Sequence, residues 1–454
     1  MAFHSTDPTT GEAWRTFEEA SADDVELALV RAAAARPAWA ATPIAERAAH
    51  LRAVAARLRA EKAEHAVLMA REMGKPVADG EAEVEKCAVA CEWYADHGVR
   101  FLAPDPREVD GARAYVRFDP LGTVLAIMPW NFPFWQVFRA AAPTLLAGNT
   151  MVLKHAENVP GCSDALGRVF AAAGVPPGVF EQLHLGRDRI PSVIDDARVQ
   201  AVTLTGSTAA GRSVASAAGK ALKKSVLELG GSDAFVVLDD ADLDAAASGA
   251  TDARLVNAGQ SCIAAKRFIV VDGVHDAFVE RFVAAMRARR VGNPLERSTQ
   301  VGPLARRDLR DTLHEQVERT IAAGARCVLG GSMSSGSGAF YPATVLVDVV
   351  PGMPAFDEET FGPAASVIRA RDEADAIRLA NASVYGLGGA VWSRDRARAE
   401  RVAAAMETGF VSVNGQVRSD PRLPFGGVKQ SGYGRELAEY GLREFVNVKT
   451  IVVR

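Results

Sequence analysis

The stretch AYVRFDPLGTVLAIMPW, residues 114–130, changes character halfway along. Its first five residues alternate between apolar and polar, Pro120–Gly122 forms a turn, and TVLAIM is an unbroken apolar run. Alternation marks a strand with one wet face, whereas a continuous aliphatic run marks a strand covered on both faces, as in a parallel sheet. The buried-strand signature returns in TMVLKHA (150–156), after the helix-like FWQVFRAAAPTLLAG (134–148). It returns again at the start of AVTLTGSTAAGRSVASAAG (201–219). Strand, helix, strand in succession predicts a doubly wound α/β sheet.

Upstream, Ala22 to about Phe101 is rich in Ala, Glu and Arg at helical spacing, with Leu51, Val54, Ala55 and Leu58 on one face. Downstream of VLELGGSDAFVVLDDADLD (226–244), RFIVVDG, ARCVLGG, TVLVDV and GGAVWS form a second strand series, separated by helical segments such as VHDAFVERFVAAMRARR. Two doubly wound α/β domains are therefore expected, joined near Gly230 and Gly231. GGSMSSGSGAF (330–340) reads as a flexible surface loop. The terminal FVNVKTIVVR is a β-like run that needs a docking partner, such as another subunit.

The chain has 454 residues, beyond the roughly 250–300 at which one core stops growing. Hydrophobic residues at 48% and charged residues at 24% exclude a disordered, collagenous or membrane class. A formal net charge of -4 gives no electrostatic reason for a nucleic-acid or acidic-membrane partner, which leaves small molecules. The N-terminal MAFHSTDPTTGEAWRTF has neither a basic leader nor an apolar core, and no run of 18 apolar residues occurs, so a cytoplasmic protein is expected. The five cysteines suit a reducing compartment. Cys87 and Cys91 lack a second His or Cys pair and read as one helix face, and no metal is expected.

Several residues could carry chemistry, and each has a plain structural alternative. Cys262, in VNAGQSCIAAKR (256–267), is either a small core side chain or a nucleophile. Gly206 and Gly211 open a helix after a strand, where backbone N–H groups can hold a phosphate, although the G-x-G-x-x-G fingerprint is absent. Glu228 ends a strand beside Gly230 and Gly231, which would admit a ligand closely. Asn131 lies between two prolines with Trp130 and Phe132 around it, so its amide could serve a developing oxyanion. Glu359 sits in a loop before Phe361 and a Gly-Pro break.

Taken together, PWNFP, TGSTAAG, LELGG, GQSC, EETFGP and PFGGVKQSGYGRE occur in an order and spacing that resemble the aldehyde dehydrogenase superfamily, from DPTTGE to the C-terminus. IMPWNFPFWQVFR, LKHA, VLELGGSD and AAKRF are most similar to a bacterial branch of NAD(P)-dependent succinate-semialdehyde dehydrogenases. The resemblance implies that Cys262 is the nucleophile, that Glu228 activates water, and that Asn131 holds the oxyanion with the Cys262 N–H. An aldehyde would pass through a thiohemiacetal and a thioester to a carboxylic acid, most simply succinate semialdehyde to succinate.

By the same resemblance, Trp130, Lys154 and Glu157 serve the adenosine side of the cofactor and Ser207 its pyrophosphate, with Gly206, Gly211 and Gly230 close by. Glu359 and Phe361 serve the nicotinamide ribose. A carboxylate at the adenine ribose accepts from hydroxyls and repels a 2'-phosphate, so Glu157 favours NAD, with NADP as a second cofactor if Lys154 offsets the repulsion.

Arg139 and Ser419 match the carboxylate-binding arginine and serine of the succinate-semialdehyde group. The second arginine of that group is replaced by Val256, with Arg254 nearest, and the lysine that often follows the first arginine is replaced by Ala140. Arg418 or Arg422 could compensate, and without compensation a broader range of aliphatic, ω-carboxylated or aromatic aldehydes is the alternative. A catalytically silent protein with this fold is the alternative of another class. Ala264 occupies the position of a second cysteine in some relatives, so no local disulfide switch is expected.

The expected architecture is a Rossmann-like dinucleotide domain (1–103 and 121–228), a catalytic domain (229–425) and an oligomerisation element (104–120 and 426–454). The hairpin and the terminal strand of that element would bridge a homodimer or homotetramer.

Overall fold

The structure is a computed structural model that describes residues 2–333 and 336–454. It is a mixed α/β protein built around two helix-flanked, mainly parallel sheets. The TVLAIM run is the strand Thr123–Met128, and all six of its residues are buried. It pairs in parallel with Thr150–His155 on one side and Val199–Thr205 on the other. The sheet extends to Phe180–Leu183 at one edge and, beyond Val199–Thr205, to Lys224–Glu228. A short antiparallel strand, Gly432–Tyr433, closes the far edge.

Between Glu228 and Asp233 the chain crosses to a seven-stranded sheet. Its order is Arg326–Leu329, Thr344–Val347, Ala364–Ala370, Ala265–Val271, Asp233–Val237, Gly388–Trp392 and Phe410–Val413. All of its pairings are parallel except the first. Asp233–Val237 and Ala265–Val271 are buried along their whole length, which is why both read as apolar runs.

The helical lead-in is four helices, Ala22–Ala41, Ile44–Ala60, Lys62–Met73 and Val77–Leu102. Ser21 caps the first with a reciprocal bond to Asp24. Leu51, Val54, Ala55 and Leu58 are buried as their spacing predicts, in one core with Cys87, Cys91 and Phe138. A separate antiparallel sheet joins Asp105–Val109, Ala112–Pro120 and Val446–Val453, with the terminal strand at its edge.

Ser334 and Ser335 of the serine-rich stretch lie outside the described residues. Its later part is tied down: Gly338 accepts from Arg310 at 3.0 Å, and Ala339 both accepts from Leu304 at 2.9 Å and donates to Pro8 at 2.8 Å. Ala2–Thr6 pairs with Ala13–Glu18 in a hairpin at the start of the chain. Buried Glu72 accepts from the Ser5 hydroxyl and, at 2.8 Å each, from the N–H groups of Gly161 and Cys162 at the start of the helix Pro160–Ala172. A carboxylate suits that helix end because its N–H groups lack intrahelical partners. No helix among the described residues is long and apolar enough to cross a membrane.

Candidate active site

Cys262 follows a backbone turn that few sequences adopt. The helix Leu243–Leu255 ends, and Asn257, Ala258 and Gly259 then take positive φ of 53°, 54° and 76°. Only glycine fits the third position, since a Cβ there would stand 2.2 Å from the Gly362 carbonyl oxygen. The turn is held from within and across the site. Asn257 Nδ2 donates to the carbonyls of Gln260 (3.1 Å) and Asn131 (2.7 Å), while Gln260 Oε1 accepts from the Ala305 N–H at 2.8 Å.

Asn131 faces this turn from the loop after Thr123–Met128. Its Nδ2 donates to the Gln260 carbonyl at 3.1 Å, two residues before Cys262, and its buried Oδ1 has no partner among the described residues. Buried Lys75 donates to the Asn131 carbonyl at 3.1 Å and is ion-paired with Glu83. Glu83 also accepts from the N–H groups of Phe134 (2.9 Å) and Trp135 (3.0 Å), where the helix Trp135–Leu146 begins. His155 fixes the same loop. Its Nδ1 accepts from the Ala156 N–H at 2.8 Å, which leaves the proton on Nε2 to donate to Pro133 at 2.9 Å. Burial lowers the His155 pKa to about 4, so this neutral tautomer persists at neutral pH.

Burial pushes the Cys262 thiol up to about 12, while the positive charges of Arg139 and Lys266 act in the opposite sense. Lys266 Nζ donates to the carbonyls of Ser261 (2.8 Å) and Cys262 (2.7 Å) and lies 3.4 Å from Glu359 Oε1. Glu359 accepts from the Gly231 N–H at 2.9 Å, and a Cβ on Gly230 would stand 2.5 Å from its other oxygen. The two glycines thus admit a carboxylate against the backbone where the chain changes sheets.

Glu228 ends the strand Lys224–Glu228, is 2% exposed, and has no hydrogen-bond partner on either oxygen among the described residues. Burial, reinforced by neighbouring Glu436, holds its pKa well above the usual carboxylate range. Arg139 is ion-paired with Glu436, lies 4.6 Å from the Phe425 ring and donates to Thr205 Oγ1 at 3.3 Å.

Cys262, Arg139 and Ser419 line one cavity of about 820 Å³. Among the proposed compensating residues, Arg418 lines this cavity, whereas Arg422 is outside the lining and pairs with Asp420 at 2.7 Å. Arg254 is fully buried and donates to the Gly259 carbonyl at 2.7 Å, a bond that stiffens the left-handed turn. Val256 is 38% exposed and lines the same cavity.

A second cavity, of about 910 Å³, is lined by Trp130, Lys154, Glu157, Ser207 and Arg187, with Phe3, His4 and Thr6 of the first hairpin along its border. Ser207 caps the helix Thr208–Lys220, whose free N–H groups suit an anionic ligand. Glu157 lies 3.8 Å from Lys154 Nζ and accepts from Arg187 Nε at 3.3 Å. Phe361 stands edge-on to Trp130, ring centroids 5.8 Å apart. Gly211 packs against Leu229, where a Cβ would be 2.5 Å away, whereas a Cβ on Gly206 would meet only Leu204, at 3.8 Å.

Lys75, Glu83, His155, Lys266, Arg187 and Glu436 were not singled out by sequence. Their partners are remote in sequence or are backbone carbonyls, and no local pattern marks such pairs.

The model of the aldehyde dehydrogenase family matches residues 1–451. A succinate semialdehyde dehydrogenase [NAD(P)+] of Escherichia coli (strain K12) is 50% identical over 447 residues, 98% of this chain and 97% of that one. A succinate-semialdehyde dehydrogenase [NADP(+)] of Mycobacterium ulcerans is 48% identical over the full length of both chains. The crystal structure of succinic semialdehyde dehydrogenase from Streptococcus pyogenes in complex with NADP+ superposes with a TM-score of 0.97 at 38% identity, covering 99% of each chain. The chain belongs to the aldehyde dehydrogenase family and is an NAD(P)-dependent enzyme that oxidises aldehydes.

Proposed function

We propose that the substrate is succinate semialdehyde and the product succinate. The observation that carries this reading is the shared cavity: Cys262 shares it with Ser419 and with several cationic side chains, Arg139 among them. Relatives at 46–50% identity bearing the succinate-semialdehyde dehydrogenase name support it.

In this reading the Cys262 sulfur attacks the aldehyde carbon, and its proton leaves to solvent or to a carboxylate. The new oxyanion takes the Asn131 amide, released from Gln260, together with the Cys262 N–H. The dinucleotide, when bound, supplies the hydride acceptor. Glu228 then removes a proton from the water that hydrolyses the thioester, which requires it to ionise on turning toward the cavity. The cleft around Trp130, Lys154, Glu157 and Ser207 suits the cofactor, with Gly206 and Gly211 at the helix entry. Glu359, Gly230 and Phe361 serve its nicotinamide end.

We assign both NAD and NADP as cofactors: Glu157 by itself would repel a 2'-phosphate and favour NAD, but Lys154 and Arg187 stand beside that carboxylate and offset its charge, and the relatives named for NADP support its use. We further assign a dinucleotide domain at 1–103 and 121–228, a catalytic domain at 229–425, an oligomerisation element at 104–120 and 426–454, a homodimeric or homotetrameric assembly, and a cytoplasmic location.

Initial rates of NADH and NADPH formation with succinate semialdehyde, butanal and benzaldehyde test the substrate and cofactor together. A kcat/KM for succinate semialdehyde at least about tenfold above the other two is expected. Equal values would remove the carboxylate from the description of the substrate. Glu157→Gln should shift the NADP/NAD ratio of kcat/KM toward NADP, and an unchanged ratio would remove Glu157 from cofactor choice.

A further inference from the structure

We propose that Lys86 is the cation that binds the distal carboxylate of the substrate, in the place left open by Val256 and by the engagement of Arg139 with Glu436. The proposal rests on the reading that the aldehyde carries a distal carboxylate. Lys86 lies on the helix Val77–Leu102, in AEVEKCAV, where it reads as one charge among several. In the fold it lines the Cys262 cavity, with Nζ 2.7 Å from Ser419 Oγ and 4.2 Å from the centre of the Trp135 ring.

Four of the other cations on that cavity are committed. Lys75 pairs with Glu83, Arg139 with Glu436, Arg289 with Asp252 and Arg297 with Glu81. Of the carboxylates lining the cavity, Glu83 belongs to Lys75, Asp252 to Arg289 and Asp420 to Arg422, while Asp79, on the same helix as Lys86, is exposed to solvent. Among the described residues only Lys86 and Arg418 line the cavity without a carboxylate partner, and Arg418 is exposed. An ammonium withdrawn from water without an anion is costly, and an anionic ligand relieves that cost.

Ser419 supports the same conclusion. Its oxygen accepts from Lys86 Nζ and, at 3.1 Å, from Trp135 Nε1, two groups that can only donate. The serine proton is therefore left to point elsewhere. Together the ammonium and the hydroxyl offer two donors to one carboxylate, the pattern a second arginine supplies by its fork.

Burial, with Arg139 adding to it, lowers the Lys86 pKa to about 8, against the opposing charges of Cys87, Glu83 and Asp420. The charged form thus prevails below that pH in the free enzyme and fades above it, while a bound carboxylate favours the charged form.

The test compares wild type, Lys86→Gln and Lys86→Arg with succinate semialdehyde and butanal across pH 6.5 to 9.5, and measures succinate binding by calorimetry. In Lys86→Gln the kcat/KM ratio of succinate semialdehyde to butanal should fall by about 30-fold or more, mainly through KM, with succinate binding weakened in parallel. Lys86→Arg should restore much of that ratio. In wild type the ratio should decline above about pH 8, whereas in Lys86→Arg it should stay level because the guanidinium remains charged. An unchanged ratio in Lys86→Gln, or equal loss toward both aldehydes in all variants, would overturn the proposal while leaving the substrate reading intact. A wild type with no preference for succinate semialdehyde would overturn both.

Discussion

Burial pushes the Cys262 thiol up to about 12, which favours the thiol over the thiolate at neutral pH in the cofactor-free protein. Arg139 and Lys266 favour the thiolate, while burial and the Glu359 carboxylate oppose it. In the cofactor-free protein the rate of Cys262 alkylation by iodoacetamide should rise about tenfold per pH unit from 7 to 10 without a plateau. A plateau below pH 9 would show a thiol already activated at rest. Burial, with Glu436 beside it, raises the Glu228 pKa, which favours the neutral acid in the resting site and suits a base that acts only after hydride transfer. Glu228→Gln should leave a rapid first turnover and slow the steady state by about 10² to 10⁴, read as a burst of reduced cofactor. Loss of the burst itself would place Glu228 in the first half of the reaction. Both residues stand out as candidates in the sequence because GQSC and LELGG are short and contiguous. The pairing of Arg139 with Glu436 does not, since 297 positions separate them and each is an ordinary charge in its own segment.

At the scale of elements, legibility followed burial only where the buried strand is also rich in branched aliphatic residues. TVLAIM and AKRFIVV lie inside their sheets and carry apolar runs, whereas Phe180–Leu183, an edge strand reading FEQL, carries no alternation to notice. Ala364–Ala370 escaped notice as well, because AASVIRA is half alanine and serine, residues that do not mark a strand. The left-handed turn Asn257–Gly259 is not marked in the sequence: asparagine and glycine tolerate a positive φ, but the alanine between them gives no sign of one. Yet it sets the direction from which Cys262 enters the cavity. Gly259→Ala would drive a methyl group into Gly362 and displace the nucleophile. Turnover should fall by about a hundredfold with cofactor affinity kept, as a shift on the order of 1 Å produces. Normal turnover would show that the turn tolerates the methyl group by local adjustment.

For the whole molecule, the feature that points outward is the terminal strand Val446–Val453. It forms one edge of the three-stranded sheet and exposes Val448 and Val452, at 61% and 49%. A bare apolar edge invites another strand, so Val448→Lys with Val452→Lys should reduce the mass measured by light scattering. An unchanged mass would move the subunit contact elsewhere. The first hairpin has a different reach. Phe3, His4 and Thr6 border the Glu157 cavity, and Ser5 is anchored by Glu72 to a helix that starts beside it. A purification tag fused ahead of this hairpin would consequently sit at the mouth of the cavity proposed for the dinucleotide. Kinetic comparisons of NAD with NADP made on such a fusion would report on the handle as much as on the enzyme, and a tag placed elsewhere or cleaved away is the sounder reagent.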